Sequence, residues 1–201
     1  MGQQLAERLR FLRAFIAHPR QVGAVLPTSR FAVRDMLDMA DVAGADLVVE
    51  LGAGTGVSTS EILARLKPDA RLVALEIDPR LAQVMEECFP DPRLQVVCDS
   101  AENVLEHLDG ERADVLVCAL PFTSLEPSLR RRLLDLLPLS LAPAGTAVVI
   151  QYSPLISGEL RRRFPSVRRR ISPRNVPPAF LFASSLEEDA VPADVEGPAA
   201  G

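Results

Sequence analysis

Val48-Val49-Glu50-Leu51-Gly52-Ala53-Gly54-Thr55-Gly56 is the stretch around which the rest of the chain is organised. The apolar run at residues 47–49 is rich in β-formers and predicts a strand of the kind that lies buried in the middle of a parallel sheet. Glycines after such a strand let the backbone pass close to a ligand that any Cβ would displace. A helix predicted at residues 58–66 would then point its amide groups and positive dipole end at that ligand.

The spacing of the glycines distinguishes between the known nucleotide-binding motifs. A dinucleotide-binding motif would need its third glycine at Val57, and a phosphate-binding loop would need a Gly-Lys-Ser/Thr sequence that the chain lacks. The order Glu50, Gly52, Gly54, Gly56 instead resembles the first motif of the class I S-adenosylmethionine-dependent methyltransferases. In that family the glycines flank the methionine part of the cofactor.

Two further predicted strands also end in acidic residues. The strand at residues 71–78 carries Glu76, whose carboxylate can accept two hydrogen bonds from a ribose diol. The strand at residues 94–99 ends in Asp99, and the resemblance implies that this residue meets the adenine amino group. The alternative is a glycine turn with three solvated acids. The resemblance assigns cofactor binding to Glu50, Gly52, Ala53, Gly54, Thr55, Gly56, Glu76, Ile77, Asp99, Ser100, Ala101 and Ala119.

The remaining pattern predicts an α/β fold. Strands and helices alternate as far as residue 137, a turn is predicted at residues 143–145, and strands at residues 146–152, 167–171 and 179–184 close the chain. We therefore expect a three-layer Rossmann-like methyltransferase fold, with a seven-stranded, mostly parallel sheet and one antiparallel strand near the C-terminus. The ligand of such a sheet binds outside the carboxyl ends of the strands.

Composition predicts a single soluble domain without a metal site. The chain has 201 residues, of which 48% are apolar, and no apolar run approaches the roughly 20 residues of a membrane span. No signal-peptide pattern is present. Cys88, Cys98 and Cys118 are expected to be reduced core residues, and the two histidines and scattered cysteines do not suggest a metal centre. The 22 basic and 27 acidic residues argue against nucleic-acid binding.

The charge is distributed unevenly. Glu7 is the only acid among residues 1–34, which contain six arginines, and a block of seven arginines lies within residues 161–174. Residues 3–17 predict an amphipathic helix, which either lies in a membrane interface or covers the cofactor pocket as a lid. We therefore divide the chain into residues 1–28, a methyltransferase domain at residues 29–185, and an acidic, disordered tail at residues 186–201.

Over about residues 8–184 the chain resembles the small soluble bacterial phosphatidylethanolamine N-methyltransferases, relatives of the ribosomal RNA adenine dimethyltransferases. The likeness rests on Phe15-Ile-Ala-His-Pro-Arg-Gln-Val-Gly-Ala-Val25, Pro27-Thr-Ser29, Leu120-Pro121 and Asn175-Val-Pro-Pro-Ala179, together with the glycine motif. It implies methylation of the lipid's ethanolamine nitrogen by a cytoplasmic protein bound to the inner face of the cell membrane. The substrate or membrane contacts it implies are Arg8, Phe11, Leu12, Phe15, His18, Gln21 and Phe122.

One departure from the RNA-methylating relatives bears on the substrate. They end the fourth strand in Asn-Leu-Pro-Tyr, whereas this chain has Ala119-Leu120-Pro121-Phe122, which lacks the asparagine carbonyl that holds a base amine. Base methylation is therefore disfavoured. The alternatives are a methyltransferase acting on a soluble small molecule or an RNA base, and a non-catalytic cofactor-binding module of the membrane surface.

Candidate catalytic groups follow from the chemistry of methyl transfer to an amine. The Leu120 carbonyl or the Tyr152 hydroxyl could accept a hydrogen bond from the attacking amine. The Tyr152 ring could face the cationic product or simply cap its strand, and Phe122 could face the cation or form a wall of the pocket. His107 is interpreted as a surface residue, and the arginines at 161–174 as contacts for lipid phosphate or a solvated basic face.

Overall fold

The computed structural model describes residues 28–187, which form a sheet with helices packed on both of its faces. The helices are α1 (Arg30–Leu37), α2 (Val57–Leu63), α3 (Pro79–Cys88), α4 (Pro127–Leu139) and α5 (Ser157–Arg161). The strands are β1 (Leu47–Leu51), β2 (Arg71–Leu75), β3 (Leu94–Val97), β4 (Ala113–Cys118), β5 (Leu141–Gln151), β6 (Ser166–Ser172) and β7 (Ala179–Ser185). Short 3-10 helices cover Ala101–His107, Phe122–Ser124 and Pro154–Ile156.

The seven strands form one sheet in the order β3-β2-β1-β4-β5-β7-β6. Strands β1 to β5 pair in parallel, and β7 runs antiparallel to both β5 and β6. The predicted seven-stranded sheet with one antiparallel strand is confirmed. Leu51 at the end of β1 pairs with Leu75 of β2 and Cys118 of β4. The carboxyl ends of these strands therefore meet at one edge of the sheet, which we call the site edge.

The sheet is buried between two hydrophobic clusters, one on each face. All five residues of β1 are buried, and neighbours in sequence point to opposite faces. Val49 and Leu51 pack in the cluster that contains Leu134 of α4, whereas Val48 packs in the cluster that contains Met36 of α1. Burial on both faces explains why β1 is a continuous apolar run, and it holds the glycine turn after the strand on a rigid base.

Several predicted boundaries are wrong. The predicted turn at residues 143–145 lies within β5, whose pairing with β4 jumps from Ala113↔Leu141 to Val115↔Thr146 and so accommodates extra residues as a bulge. A Cβ on Gly145 would lie 2.7 Å from the Ala113 carbonyl oxygen, which explains the glycine in this bulge. Helix α2 stops at Leu63, three residues before the predicted end at residue 66. Cys98, expected in the core, follows β3 and is exposed.

Some predictions lie outside the described residues. These are the helix at residues 3–17, the contacts assigned to residues 1–27, and the nature of the tail beyond residue 187; the contact residues concerned are Arg8, Phe11, Leu12, Phe15, His18 and Gln21. Within residues 28–187, no helix has the length and apolar character needed to cross a membrane.

Candidate active site

In the glycine turn after β1, neighbouring side chains crowd Gly52 and Gly56 but not Gly54. Gly52, Gly54 and Gly56 have φ angles of 77°, 57° and 77°, a region that residues with a Cβ rarely adopt. A Cβ on Gly52 would lie 2.8 Å from Leu120 Cδ2, and one on Gly56 would lie 2.4 Å from the Phe89 ring. Around Gly54 there is no atom within 4 Å of such a Cβ. The backbone at Gly54 is therefore free to lie against a ligand.

Glu76 ties this turn to the end of β2. Its Oε2 accepts a hydrogen bond from the Gly54 amide at 2.8 Å, and its Oε1 accepts one from the Asp78 amide at 2.9 Å. A carboxylate has about four acceptor sites, so each oxygen can still accept one bond from a ligand hydroxyl. Ile77, the next residue, is 72% exposed and offers an apolar surface beside that carboxylate.

Glu50 is a fully buried acid with one unsatisfied oxygen. Its Oε2 accepts a hydrogen bond from the Thr59 hydroxyl at 2.7 Å, while its Oε1 has no hydrogen-bond partner. Burial raises the pKa of this carboxyl to about 8, because the Thr59 hydrogen bond only partly offsets the loss of solvation and the nearby Glu76 adds repulsion. A buried acceptor without a partner is costly, so a donor or cation supplied by a ligand would stabilise it.

Asp99 is held by groups of its own chain. Its Oδ2 lies 2.8 Å from His107 Nε2, and its Oδ1 accepts hydrogen bonds from the Ser100 amide at 2.6 Å and from Asn103 Nδ2 at 3.0 Å. The His107 contact, followed by the Ser100 and Asn103 bonds, holds the pKa of Asp99 below its ordinary value. The interpretation of His107 as a mere surface residue is wrong. Ser100 caps the 3-10 helix that begins at Ala101 and presents His107 to Asp99.

The prediction that the Leu120 carbonyl accepts a bond from the substrate amine is wrong for this structure. That oxygen already accepts the Phe122 amide at 2.9 Å and Gln151 Nε2 at 2.7 Å, which uses both of its lone pairs. Gln151, 3% exposed at the end of β5, is a site residue that the sequence reasoning missed. A polar residue closing an apolar strand is the signal that could have indicated it. Ala119 is held at the site edge by a hydrogen bond of 3.1 Å that its backbone amide donates to the Leu51 carbonyl.

The two aromatic candidates have different environments. Phe122 is fully buried in the hydrophobic cluster that contains Leu51 and Cys118, so of its two predicted roles burial disfavours the one in which the ring faces a cation, and the role as a pocket wall stays a prediction. Tyr152 follows β5 at the site edge and is half-buried, and its hydroxyl lies 3.3 Å from Thr28 Oγ1. Its catalytic role stays a prediction.

Comparison with known proteins identifies the ligand of this edge. A family model described as ribosomal RNA adenine dimethylase matches residues 22–102. The ornithine lipid N-methyltransferase of Singulisphaera acidiphila is 34% identical over 177 residues, which cover 86% of this chain and 92% of that protein. The chain belongs to the class I S-adenosylmethionine-dependent methyltransferases. The methyltransferase is also 36% identical to ribosomal RNA small subunit methyltransferase A of Clostridium perfringens, over 44% of the chain but only 31% of that relative.

Solved structures agree with the fold. The N-methyltransferase NodS of Bradyrhizobium japonicum matches with a TM-score of 0.64 and 18% identity, over 78% of the methyltransferase and 96% of NodS. An O-methyltransferase family protein of Burkholderia thailandensis matches with a TM-score of 0.65 and 14% identity, over 90% of the methyltransferase and 60% of that chain. NodS has also been solved with S-adenosyl-l-homocysteine, the demethylated form of the cofactor.

The cofactor is S-adenosylmethionine, and the residues at the site edge fit it. The open backbone at Gly54, the free acceptor sites of Glu76 and the exposed Ile77 suit a nucleoside, and the unsatisfied Glu50 oxygen suits a donor or a cation. Ala53, Thr55, Ala101 and Ala119 flank these groups in the turn and at the strand ends. Asp99 is more fully engaged, because three contacts with its own chain leave one acceptor site on Oδ2, and its predicted bond to the adenine amino group stays a prediction.

Proposed function

We propose that the methyltransferase transfers methyl groups from S-adenosylmethionine to the amine of a membrane lipid headgroup, with phosphatidylethanolamine and its mono- and dimethyl forms as acceptors. The observation that carries this proposal is the end-to-end similarity to a lipid N-methyltransferase, which spans 86% of the chain and 92% of that relative. Ornithine lipid and phosphatidylethanolamine both present a primary amine next to acyl chains. The acceptor chemistry is therefore shared, and experiment must separate the two lipids.

The similarity to RNA-modifying relatives covers less of the chain than the similarity to the lipid N-methyltransferase, for example 60% for ribosomal RNA small subunit methyltransferase A of Pediococcus pentosaceus against 86%. The family model ends at residue 102, which is just beyond β3. After β4, where those relatives place an asparagine to hold a base amine, this chain has Ala119. A methyl side chain offers no hydrogen-bond acceptor for such an amine. These two observations favour a lipid amine over an RNA base.

Catalysis would depend mainly on the geometry of the reactants. The bound cofactor supplies a methyl group on a positively charged sulfur, and the chain must hold the acceptor nitrogen in line with it at near-contact distance. Gly52 and Gly54 set the position of the cofactor through the backbone, and Gln151 fixes the Leu120 carbonyl at the wall of the site. The Tyr152 hydroxyl is the remaining candidate to accept a hydrogen bond from the amine and orient its lone pair.

The test is methyl transfer from isotopically labelled cofactor to a mixture of candidate acceptors. Phosphatidylethanolamine, ornithine lipid and a ribosomal RNA transcript would be incubated together with the full chain, and label in each would be measured by mass spectrometry. We expect label in an aminolipid and none in the RNA, with phosphatidylethanolamine the preferred lipid. Tyr152→Phe should lower kcat with little change in cofactor affinity.

The other outcomes identify the alternatives. Label in the RNA alone would establish a base methyltransferase and overturn the proposal. Label in ornithine lipid but not in phosphatidylethanolamine would keep the reaction and change the substrate. Tight cofactor binding without label in any acceptor would indicate a non-catalytic module, as would label that is equal with and without protein.

A further inference from the structure

A group of exposed apolar residues lies beyond the site edge, where β5, β6 and β7 meet. Val176 is 89% exposed, Leu155 is 77% exposed and Phe31 is 52% exposed. Gln151 of β5 and Ile171 of β6 both pair with Phe180 of β7, so the segment after β5 and the β6–β7 loop leave the sheet at this same edge. We call Phe31, Leu155, Arg174 and Val176 the outer rim.

Contacts join two parts of the outer rim, the start of α1 and the β6–β7 loop. The Arg174 guanidinium lies over the Phe31 ring, 5.7 Å from its centroid. Asn175, 1% exposed, accepts a hydrogen bond from the Ser29 amide at 2.8 Å and donates one to the Pro177 carbonyl at 2.8 Å. The buried Asn175 thus anchors the loop to the start of α1 and leaves Val176 projecting outward. An apolar residue held outward on an anchored loop is suited to insertion into a neighbouring apolar phase.

The segment of sequence that carries most of the outer rim is strongly basic. Residues 153–186 contain seven arginines and one acid, Glu159. Glu159 is engaged by Arg163 Nη1 at 3.0 Å, so it does not neutralise the others. The exposed arginines of this segment that form no salt bridge with a described residue are Arg161, Arg162, Arg169, Arg170 and Arg174. Arg161 and Arg162 precede the start of β6 at the opposite edge of the sheet, whereas Arg170 lies two residues before the end of β6 and Arg174 lies in the outer rim. These two arginines favour an anionic partner at the rim.

The chemistry of the projecting side chains separates a bilayer from other anionic partners. Single-stranded nucleic acid binds through aromatic faces on which bases stack, but the most exposed rim residues, Leu155 and Val176, are aliphatic, and Arg174 lies over one face of the Phe31 ring. Aliphatic side chains flanked by arginines are the combination that inserts among acyl chains while the arginines contact anionic headgroups.

We infer that the outer rim docks on an anionic lipid bilayer, with Leu155 and Val176 inserted at the boundary between headgroups and acyl chains. This inference rests on the proposed function and deepens it, because it turns the site edge towards the membrane from which an aminolipid would enter. It assigns a membrane contact to the described domain, in addition to the one predicted for residues 3–17.

The absence of tryptophan from the chain allows a direct test. Single-tryptophan variants Leu155→Trp and Val176→Trp would be mixed with vesicles of phosphatidylethanolamine and phosphatidylglycerol, with and without brominated acyl chains. Leu139→Trp is the matched control, because Leu139 is 51% exposed at the end of α4, next to the amino ends of β4 and β5 at the opposite edge of the sheet. We expect a blue shift and quenching by bromine for the two rim variants and neither for the control.

A second set of variants measures affinity. Leu155→Asp combined with Val176→Asp should weaken vesicle binding by about tenfold or more, because two inserted side chains would be replaced by charges, whereas Leu139→Asp should leave it unchanged. Arg174→Glu should weaken binding most at low salt. Calorimetric titration with S-adenosylhomocysteine confirms that each variant retains a folded cofactor site.

The outcomes separate this inference from the proposed function. The inference would be overturned if the protein bound vesicles without quenching of either rim tryptophan, or if the aspartate variant bound them with full affinity. Lipid methylation in detergent micelles would still support the proposed function in that case. Quenched rim tryptophans together with no lipid methylation would support the docking surface and refute the function. Absence of vesicle binding, or rim binding to RNA in place of vesicles, would overturn the inference.

Discussion

At the scale of single residues, Glu50 couples folding to pH. The carboxyl has an ordinary pKa of 4.5 in the unfolded chain and a pKa of about 8 in the fold, because it is buried. Between these values the folded state binds one more proton than the unfolded state, so the free energy of unfolding falls as pH rises. The contribution of Glu50 to the free energy of unfolding is complete only below the pKa of the unfolded chain, 4.5. It is lost as the pH rises towards and through the pKa of the folded state, about 8.

We expect Glu50→Gln to flatten this dependence, since the amide does not titrate. Urea unfolding of the cofactor-free chain at intervals from about pH 5 to about pH 8 measures it. Glu61→Gln is the control. The Arg34 hydrogen bond lowers the pKa of Glu61, so that group is ionised in both states across this window and its replacement should not change the slope. An unchanged slope in Glu50→Gln would contradict the burial argument.

The role of Glu76 in binding ribose can be isolated with a ligand change. S-adenosylhomocysteine and its 2′-deoxy analogue would be titrated into wild type and into Glu76→Gln. In wild type, removal of the hydroxyl should weaken binding by about tenfold or more, as expected for a hydrogen bond to a charged group. In the variant, the loss should be much smaller. Equal losses of affinity in both proteins would show that the hydroxyl lies away from Glu76. The control is Glu111→Gln near the opposite edge of the sheet, which should bind both ligands as wild type does.

At the scale of elements, the turn between β1 and α2 depends on glycine for two different reasons. Gly56 combines a φ of 77° with a ring that a Cβ would meet at 2.4 Å, whereas Gly158 of α5 has no atom within 4 Å of its Cβ position. We expect Gly56→Ala to destabilise the protein by about 1–3 kcal/mol. Gly158→Ala should instead stabilise it slightly, by about 0.5–1 kcal/mol. Denaturant unfolding of both variants tests this contrast, and similar effects of the two would refute it.

The elements also separate what the sequence could predict from what it could not. The buried strands β1 and β4 were predicted closely because burial on both faces imposes an uninterrupted apolar pattern. The true start of β5 was missed, because Pro143 and Gly145 indicate a turn locally, whereas pairing with β4 extends the strand through them. The glycines of the motif form the turn after β1, as their spacing predicted, and their role in binding the cofactor stays a prediction.

Contacts between side chains distant in sequence were not predictable. The second bond to the Leu120 carbonyl comes from Gln151, 31 residues away, and the partner of Asp99 is His107, reached only because residues 101–107 form a 3-10 helix. Phe122 gives no sign in the sequence of whether its ring faces the pocket or the core. These outcomes depend on tertiary packing, which periodicity and spacing do not encode.

At the scale of the whole molecule, Asn175 connects the first described helix to the last loop of the sheet. Its side chain is buried and its hydrogen bonds to Ser29 and Pro177 are partly buried, so Asn175→Ala would leave a backbone amide and a carbonyl unsatisfied. We expect a loss of about 1–3 kcal/mol in the free energy of unfolding. Gln95→Ala on the exposed side of β3 should change it by less than about 0.5 kcal/mol. Equal effects would show that the connection contributes nothing to stability.

The whole fold brings the glycine turn, the outer rim and α1 to one edge of the sheet, and we propose that a methyl group is transferred at this edge to the headgroup nitrogen of phosphatidylethanolamine. The most direct measurement uses S-adenosylmethionine with an isotopically labelled methyl carbon and purified phosphatidylethanolamine in bilayers, followed by NMR of the extracted lipid. We predict label on the headgroup nitrogen. No label is expected when Glu76→Gln is combined with Gly54→Val, whose side chain would occupy the space of the cofactor. Lipid that returns unlabelled from incubation with folded, cofactor-binding protein would contradict the proposal.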